Sequence, residues 1–451
     1  MHLVFLNQYH PPDAAPTGVM LKAVVEELAA QGHEVSVICT QGGYADTPSR
    51  MGEDAHNAPL QETPLRVIRI RATRFGRGTF LGKLADYVSY YAGVAWRLWW
   101  LNPRPDRVVA LTTPPYLGVL ARAMSRLRGA DHAHWVMDLY PDVMVAHGML
   151  REGGPAHRML ARLARWGFGG KRCAALLTLG PDMAQRLGNL INDRPTPDGG
   201  KSKVHGFTIG WVPLWSTVEN GTVDETAVAK RRHEMGWRDD ELVVMYSGNM
   251  GLGHRFTEIL EVIQQNVAAV HDRRSECEAA SPSTPTIHHP KSSARFVFFG
   301  DGRRRVEIER FMAEHPDAPV ELHDYAPADA LGVHLRSADV HLASLAAGWT
   351  GTMLPSKLQG IFAAARPVIF IGDENSAIAG WVRESGGGWV VAPAKTKEFA
   401  LALGEAHDPE TRESRGRAAM TFASANFDRN TNIRRIAGIL IAGEIQRKHR
   451  A

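Results

Sequence analysis

With 451 residues, 44% of them hydrophobic and 22% charged, the chain has the composition of a folded globular protein too long for one core, so two large domains are expected. A net charge of +4 is too mild to argue for nucleic acid, and the clustered motifs of such binding are missing. Cys39, Cys173 and Cys277 are odd in number, far apart and without C-x-x-C spacing, which supports neither a disulfide framework nor a structural zinc site and favours a reducing, cytoplasmic setting.

In chain order, "HLVFL" (2–6) reads as a buried parallel strand, and the apolar run in "MHLVFLNQYHPP" is too short for a signal peptide. A loop, "NQYHPPDAAPTG", leads to a helix whose apolar positions recur at three and four, Gly32 closes it, and "EVSVIC" is the next strand. This is a βαβ unit. Strands are expected at 65–70, 107–112, 133–138 and 174–179. The stretch from 214 to 240 turns polar, and the alternation restarts with strands at 242–247, 294–300, 338–344, 366–371 and 388–392. Two Rossmann-like α/β halves follow, residues 1–213 and 241–420, joined by a linker at 214–240. Residues 273–293, rich in Ser, Pro and His, read as a loop in which "IHH" (287–289) lacks partners at metal-ligand spacing. No 18-residue apolar segment suits a membrane span. The expectation is a protein neither exported nor integral.

Ligands of open α/β sheets sit outside the carboxyl ends of strands, and four such loops hold candidate residues. Gly18 either lets a phosphate or sugar hydroxyl approach the backbone or, with Thr17, only caps a helix. The loop is not G-x-G-x-x-G, which disfavours a nicotinamide cofactor. His10 lies on the same edge and is a candidate for acceptor contact, whereas His33 lies on the opposite edge. In "MDLYPD", Asp138 ends a strand and either binds an acceptor hydroxyl, or stabilises positive charge developing on a sugar carbon, or caps the next helix. "VVMYSGNMGLGHRF" (243–256) carries Gly248, Gly251 and Gly253 beside His254 and Arg255 on a strand-to-helix turn able to cradle an anion. In "TGTMLPSKLQG", Pro355 and Ser356 mark a helix start and Lys357 stands in its first turn, either against a diphosphate or as a solvated surface residue. "FFGDGRRR" (298–305) places Gly300 and Gly302 where backbone could pack against a nucleotide, its three arginines facing solvent. No Asp-x-Asp pair follows a strand, so no metal is required, and none is assigned.

Five segments in order, from "NQYHPPDAAPTGVMLKAVVEELAAQGHEVSVIC" through "LTTPPYLGVLARAMSRLRGADHAHWVMDLYPD", "YSGNMGLGHRFTEILE" and "FFGDGRRRVEIERF" to "PSKLQGIFAAARPVIFIGD", resemble the GT-B glycosyltransferases of family 4, in particular the bacterial subgroup that builds capsule, O-antigen or exopolysaccharide. The resemblance implies two Rossmann-like domains facing each other across a cleft. The C-terminal one would hold a UDP- or GDP-sugar donor and the N-terminal one a saccharide acceptor, with a final helix, 421–451, crossing back to the first domain. It implies a retaining transfer with no cofactor, the departing diphosphate taking the acceptor's proton. Asn249 stands where the family often has a phosphate-contacting arginine, and His254 near its usual lysine. Thr352 and Gly360 fall where many members carry two glutamates, and Met137 precedes Asp138 where the family has histidine. Gly248, Asn249, Gly253, His254, Arg255, Gly300, Gly302, Ser356 and Lys357, with Gly18, make up the implied donor set; Asp138 and His10 stand on the acceptor side; Asp138 and Lys357 are the candidates for catalysis. A nucleotide-sugar epimerase or hydrolase, and a non-catalytic sugar-nucleotide-binding subunit, are the competing readings.

From Arg66 to Arg107 nine arginines and lysines oppose Asp86 and Asp106, interleaved with eight aromatics that include Phe75, Trp96, Trp99 and Trp100. Either this density marks a surface that rests on anionic lipid, presenting a polyprenyl-diphosphate-linked acceptor on the inner face of the plasma membrane, or the aromatics are core and the arginines solvated.

Overall fold

The computed structural model describes residues 1–13, 15–41, 64–73, 75, 80–192, 203–204, 207–216, 218, 223–265 and 294–442. The loop expected at 273–293, with its histidine pair, lies outside them. By contact the chain forms two units. The first comprises Met1–Leu214, Gly351–Leu354 and Arg429–Ala451, the second Trp215–Thr350 and Pro355–Asp428.

Among the described residues the first unit holds a seven-stranded sheet of β1 (His2–Leu6), β2 (Glu34–Thr40), β3 (Leu65–Ile70), β4 (Arg107–Ala110), β5 (Asp131–Trp135), β6 (Cys173–Thr178) and, after a short antiparallel ribbon β7 (Lys203–Val204) and β8 (Phe207–Thr208), β9 (Gly210–Trp211). The order is β3-β2-β1-β4-β5-β6-β9, every neighbour parallel. β1 and β4 are buried along their whole length, which is why they read as unbroken apolar runs rather than alternating ones. The helix Arg429–Ile441 belongs to this unit, packing on the helix Pro16–Ala30 and on β6. Asn432 Nδ2 donates to the Pro213 carbonyl (3.2 Å) and the buried Arg107 guanidinium to that of Leu440.

The second unit builds a six-stranded parallel sheet of β10 (Leu242–Ser247), β11 (Ala294–Phe299), β12 (Val320–His323), β13 (Val340–Ser344), β14 (Val368–Ile371) and β15 (Gly388–Val391) in the order β12-β11-β10-β13-β14-β15. Tyr246, Phe256, Phe296 and Phe298 centre its core. The stretch expected as a linker folds here: Asp224 caps the helix Glu225–Glu234 by accepting from the Thr226 N–H at 2.8 Å, and Trp237 is buried against Val243 and Phe299. Two Rossmann-like units are thus present, as expected.

Differences from expectation are local. β5 spans 131–135 instead of 133–138, because Asp131 and His132 disguise its polar start. β12 lacked a signal, since "VELH" is a half-buried edge strand.

Both sheets reverse their winding beside their first strand, between β1 and β4 and between β10 and β13. Loops diverge at such a point and leave room for a ligand at the carboxyl ends.

Candidate functional site

In the second unit the sheet reverses between β10 and β13, and Lys357 reaches that point from the first turn of the helix Lys357–Ala363. Its Nζ donates to the Tyr246 hydroxyl, to the Asn249 carbonyl (3.0 Å) and toward His254 Nε2 (3.3 Å), and lies 3.9 Å from the centre of the Tyr246 ring. The cation–π contact is worth on the order of 1 kcal/mol. Tyr246 in turn donates to the Asn249 carbonyl at 2.7 Å. His254 Nδ1 donates to the Ser344 carbonyl at the end of β13, 2.8 Å away, which leaves Nε2 as an acceptor for the ammonium. Burial, reinforced by Lys357, pushes the His254 pKa down to about 3, so the ring is neutral. Burial also pushes the partly buried Lys357 ammonium well below its ordinary range. Burial disfavours the charge of this amine among neutral acceptors, and a bound anion would restore it.

The glycines around it serve the loops' own packing. Gly248 has φ +125°, and a Cβ there would come within 2.8 Å of Lys357 Cε. At Gly300 (φ +126°) a Cβ would stand 2.2 Å from the Gly248 carbonyl oxygen, and at Gly302 (φ +143°) 2.6 Å from the Met250 backbone. Met250 N–H donates to Asp301 (2.8 Å) and Arg304 N–H to Met250 (3.0 Å), continuing the β10–β11 pairing into the loops. Gly253 packs on the Trp349 ring.

Of the other residues expected to touch a donor, Arg255 is engaged by Glu258: its Nη2 lies 2.6 Å from Oε1, and Glu258 also accepts the Ala394 N–H at 2.8 Å. Burial opposes the Glu258 charge, but these bonds outweigh it and hold its carboxyl below the usual range. Ser356 is exposed at the helix start and makes no capping bond. Asn249 contributes its carbonyl, while its side chain lies against Gly251 and Gly302. The expectation of three solvent-facing arginines is corrected: Arg304 donates to the Leu252 carbonyl (3.3 Å) and Arg305 to that of Gly300 (2.6 Å), leaving Arg303 exposed. Guanidiniums tether these loops because tight turns leave carbonyls unpaired.

In the first unit, Asp138 follows β5. The N–H groups of Met137 and Asp138 donate to Thr112 Oγ1 (3.3 and 3.1 Å), and Asp138 pairs across an isolated bridge with Met353. The next helix, Asp142–Ala146, has Pro141 at its N-cap, so Asp138 does not cap it. Burial pushes the Asp138 pKa up to about 6. A cavity of about 20 Å³ lies beside it, lined among others by Thr112, Tyr116, His134, Tyr140 and Phe168. Around β1, His10 is buried with Nδ1 3.3 Å from the Pro11 carbonyl, its Nε2 finds no partner among the described residues, and burial pushes its pKa down to about 4. The helix Pro16–Ala30 is capped by Ala15, not by Thr17 or Gly18; a Cβ at Gly18 would stand 3.0 Å from the Tyr9 carbonyl oxygen. Gly18 therefore admits the chain's own loop.

The structure thus gathers Gly248, Asn249, His254 and Lys357, sets Arg255 apart on Glu258, and leaves Asp138, His10 and Gly18 in the other unit. Tyr246 and Ser344, which orient the lysine and histidine, were not anticipated. The aromatic two residues before Gly248 is the signal that could have revealed Tyr246.

The helix Phe80–Trp100 buries Tyr90, Val94 and Leu98, while Leu81, Leu84, Val88, Trp96, Trp99 and Trp100 are exposed. Lys83 and Arg97 of this helix and Arg66, Arg71 and Arg104 nearby are exposed too, whereas Arg107 is core and Arg69 donates to the Pro11 carbonyl at 2.5 Å. Among the described residues no helix is long and apolar enough to cross a membrane.

Comparison with known proteins agrees with the two-unit fold. A sequence model of the glycosyl transferase 4-like domain matches residues 17–196. WcaI of Escherichia coli (strain K12), named as a colanic acid biosynthesis glycosyl transferase, is 23% identical over 373 residues, covering 80% of this chain and 81% of that protein. Among solved structures, WaaG, a glycosyltransferase involved in lipopolysaccharide biosynthesis, superposes with a TM-score of 0.60 at 16% identity, over 97% of this chain and 99% of its own. Anabaena HepE in complex with UDP superposes with a TM-score of 0.61 at 13% identity, over 98% and 100%.

Proposed function

We propose, given that the chain belongs to the GT-B glycosyltransferases of family 4, that it transfers a sugar from a nucleotide-diphosphate donor to a saccharide acceptor with retention of configuration. The donor diphosphate binds at Lys357 in the second unit, and the acceptor binds near Asp138 and His10 in the first. The relatives named for colanic acid and lipopolysaccharide synthesis, and one solved with UDP, favour cell-surface polysaccharide as the product class and UDP as the nucleotide. GDP is the competing choice.

The carrying observation is the ammonium of Lys357 at the carboxyl ends of β10 and β13, oriented by Tyr246, the Asn249 carbonyl and His254. As the bond from the anomeric carbon to the phosphate oxygen breaks, negative charge grows on the diphosphate, and a cation fixed beforehand stabilises it without reorganising. The acceptor oxygen bonds to the anomeric carbon on the face the phosphate leaves, and its proton passes to the departing phosphate oxygen. His254, neutral and tied to Ser344, positions the lysine. Asp138 accepts a hydrogen bond from an acceptor hydroxyl. Side chains and backbone supply all of this, so the reading needs no metal or cofactor.

Lys357→Met tests it. With a panel of UDP- and GDP-sugars and a polyprenyl-diphosphate-linked acceptor in membrane extract, kcat/KM should fall roughly 100-fold, the scale of losing one preorganised charge-stabilising group. Retention of activity within threefold would refute the role of Lys357. Donor consumption that does not depend on acceptor would indicate a hydrolase or epimerase.

A further inference from the structure

Behind the cavity beside Asp138, which His134 borders, two histidines and a cysteine meet beneath the sheet of the first unit. His132 and His134 alternate along β5 and so share one face, and β6 sets Cys173 beside His132 in register. One donor atom from each lies within 4.8 Å of the other two, and all three side chains are buried. The two histidines are each 1% exposed.

Each ring is held by the main chain on one side and left open on the other. His132 Nε2 lies 3.1 Å from the Gly169 carbonyl, and its Nδ1 has no partner among the described residues. His134 is hydrogen-bonded to the backbone at Gly167, and its Nε2 has no partner among the described residues. The carbonyls fix the tautomers: each ring donates one N–H to its carbonyl and turns a lone pair into the protein interior. An unpaired buried acceptor costs about 1–3 kcal/mol, and two of them beside a thiol are unusual in a packed core. A histidine whose other nitrogen donates to a backbone carbonyl is the customary arrangement of a metal ligand. The charged groups felt by the cluster are Arg122, engaged by the Trp166 carbonyl and ring, Arg107, and Asp131, which lies 4.0 Å from Arg107 and 3.9 Å from Arg172.

We infer that His132 Nδ1, His134 Nε2 and Cys173 Sγ form a zinc site that ties β5 to β6. Two imidazoles and a thiolate suit a borderline-soft ion, and ligand atoms on tetrahedral zinc stand roughly 3.3–3.8 Å apart, so the three need close by only about 1 Å. Binding displaces the Cys173 proton to solvent. The fourth position goes to a water. The site is absent from the spacing pattern of the cysteines because its ligands come from neighbouring strands.

The test uses the full chain, stripped with a chelator, kept reduced and titrated with Co(II) and then Zn(II). Expected are a thiolate-to-cobalt charge-transfer band saturating near one ion per chain, its loss when zinc is added, and a rise in melting temperature with zinc. Cys173→Ser should abolish the band, and His132→Gln should weaken zinc binding at least about tenfold while retaining the thiol. The melting temperatures of the stripped variants show whether each folds, and the wild-type titration decides even if they do not. A wild-type chain without the band, or a band that survives Cys173→Ser, would overturn the proposal.

Discussion

Asp138 is a carboxyl whose charge changes within an ordinary buffer range. Its folded pKa of about 6 lies above the value of 3.8 for a free side chain, so the folded state holds a proton that the unfolded chain has lost between those values. The stability this contributes is complete below about pH 4 and is lost as pH rises through 6. Asp138→Asn keeps the neutral form at every pH. Relative to wild type the variant should therefore gain stability from pH 4 to 7, by on the order of 1–3 kcal/mol, read as a diverging denaturation midpoint in urea. Parallel curves would mean that Asp138 is solvated. At Gly300 the prediction has the opposite sign. A Cβ 2.2 Å from the Gly248 carbonyl oxygen cannot be relieved by a rotamer, so Gly300→Ala should cost roughly 2–4 kcal/mol, visible as a lower melting temperature. These residue-scale meanings were only half legible in the sequence. Gly248, Gly300 and Gly302 announced close approach, but not that the approaching backbone belongs to one another, since that depends on a crossover between strands some fifty residues apart.

The helix Phe80–Trp100 is apolar on two faces. Tyr90, Val94 and Leu98 are explained by the core, whereas Leu81, Leu84, Val88, Trp96, Trp99 and Trp100 recur at helical spacing toward solvent. Exposed apolar stripes of this length bordered by cations mark binding surfaces, and we propose that Lys83, Arg97 and Arg104 rest this one on an anionic membrane leaflet, where each would contribute about 1 kcal/mol. Trp96→Ser together with Trp99→Ser should abolish co-flotation with phosphatidylglycerol vesicles at low salt and leave the melting temperature within a few degrees. Wild-type protein that fails to float at any salt concentration would remove the idea. Interleaved aromatics and cations were visible from sequence, but not their sorting. Tyr90 and Arg107 turn inward, because the helix and β4 bury those positions.

Six buried histidines, His10, His132, His134, His254, His334 and His341, all have pKa values lowered by burial, to between about 3 and 4 where a value is resolved. In the unfolded chain each takes up a proton below about 6.5. Stability is therefore lost as pH falls from 6.5 toward 4, each histidine contributing up to about 1.4 kcal/mol per pH unit. Denaturation midpoints should drop steeply over that interval, far more than Asp138 can offset; a flat profile would show that the rings are reached by water. Occupation of the His132–His134–Cys173 cluster by zinc would steepen the fall, since protons compete with the ion. The architecture was the most legible level. Strands covered by helices on both sides are unbroken apolar runs, and nearly all of them surface in sequence. The ones overlooked, β9 and β12, are short edge strands that contribute little burial.

The helix Arg429–Ile441 completes the first unit from the far end of the chain, receiving Arg107 on the Leu440 carbonyl and donating from Asn432 to Pro213. During translation the N-terminal half must wait, with β6 and the helix Pro16–Ala30 uncovered, while the whole of the second unit is synthesised. Excising residues 1–214 as a fragment would leave that same surface bare, so a shortened clone intended to isolate the first unit should carry the distal helix fused behind it.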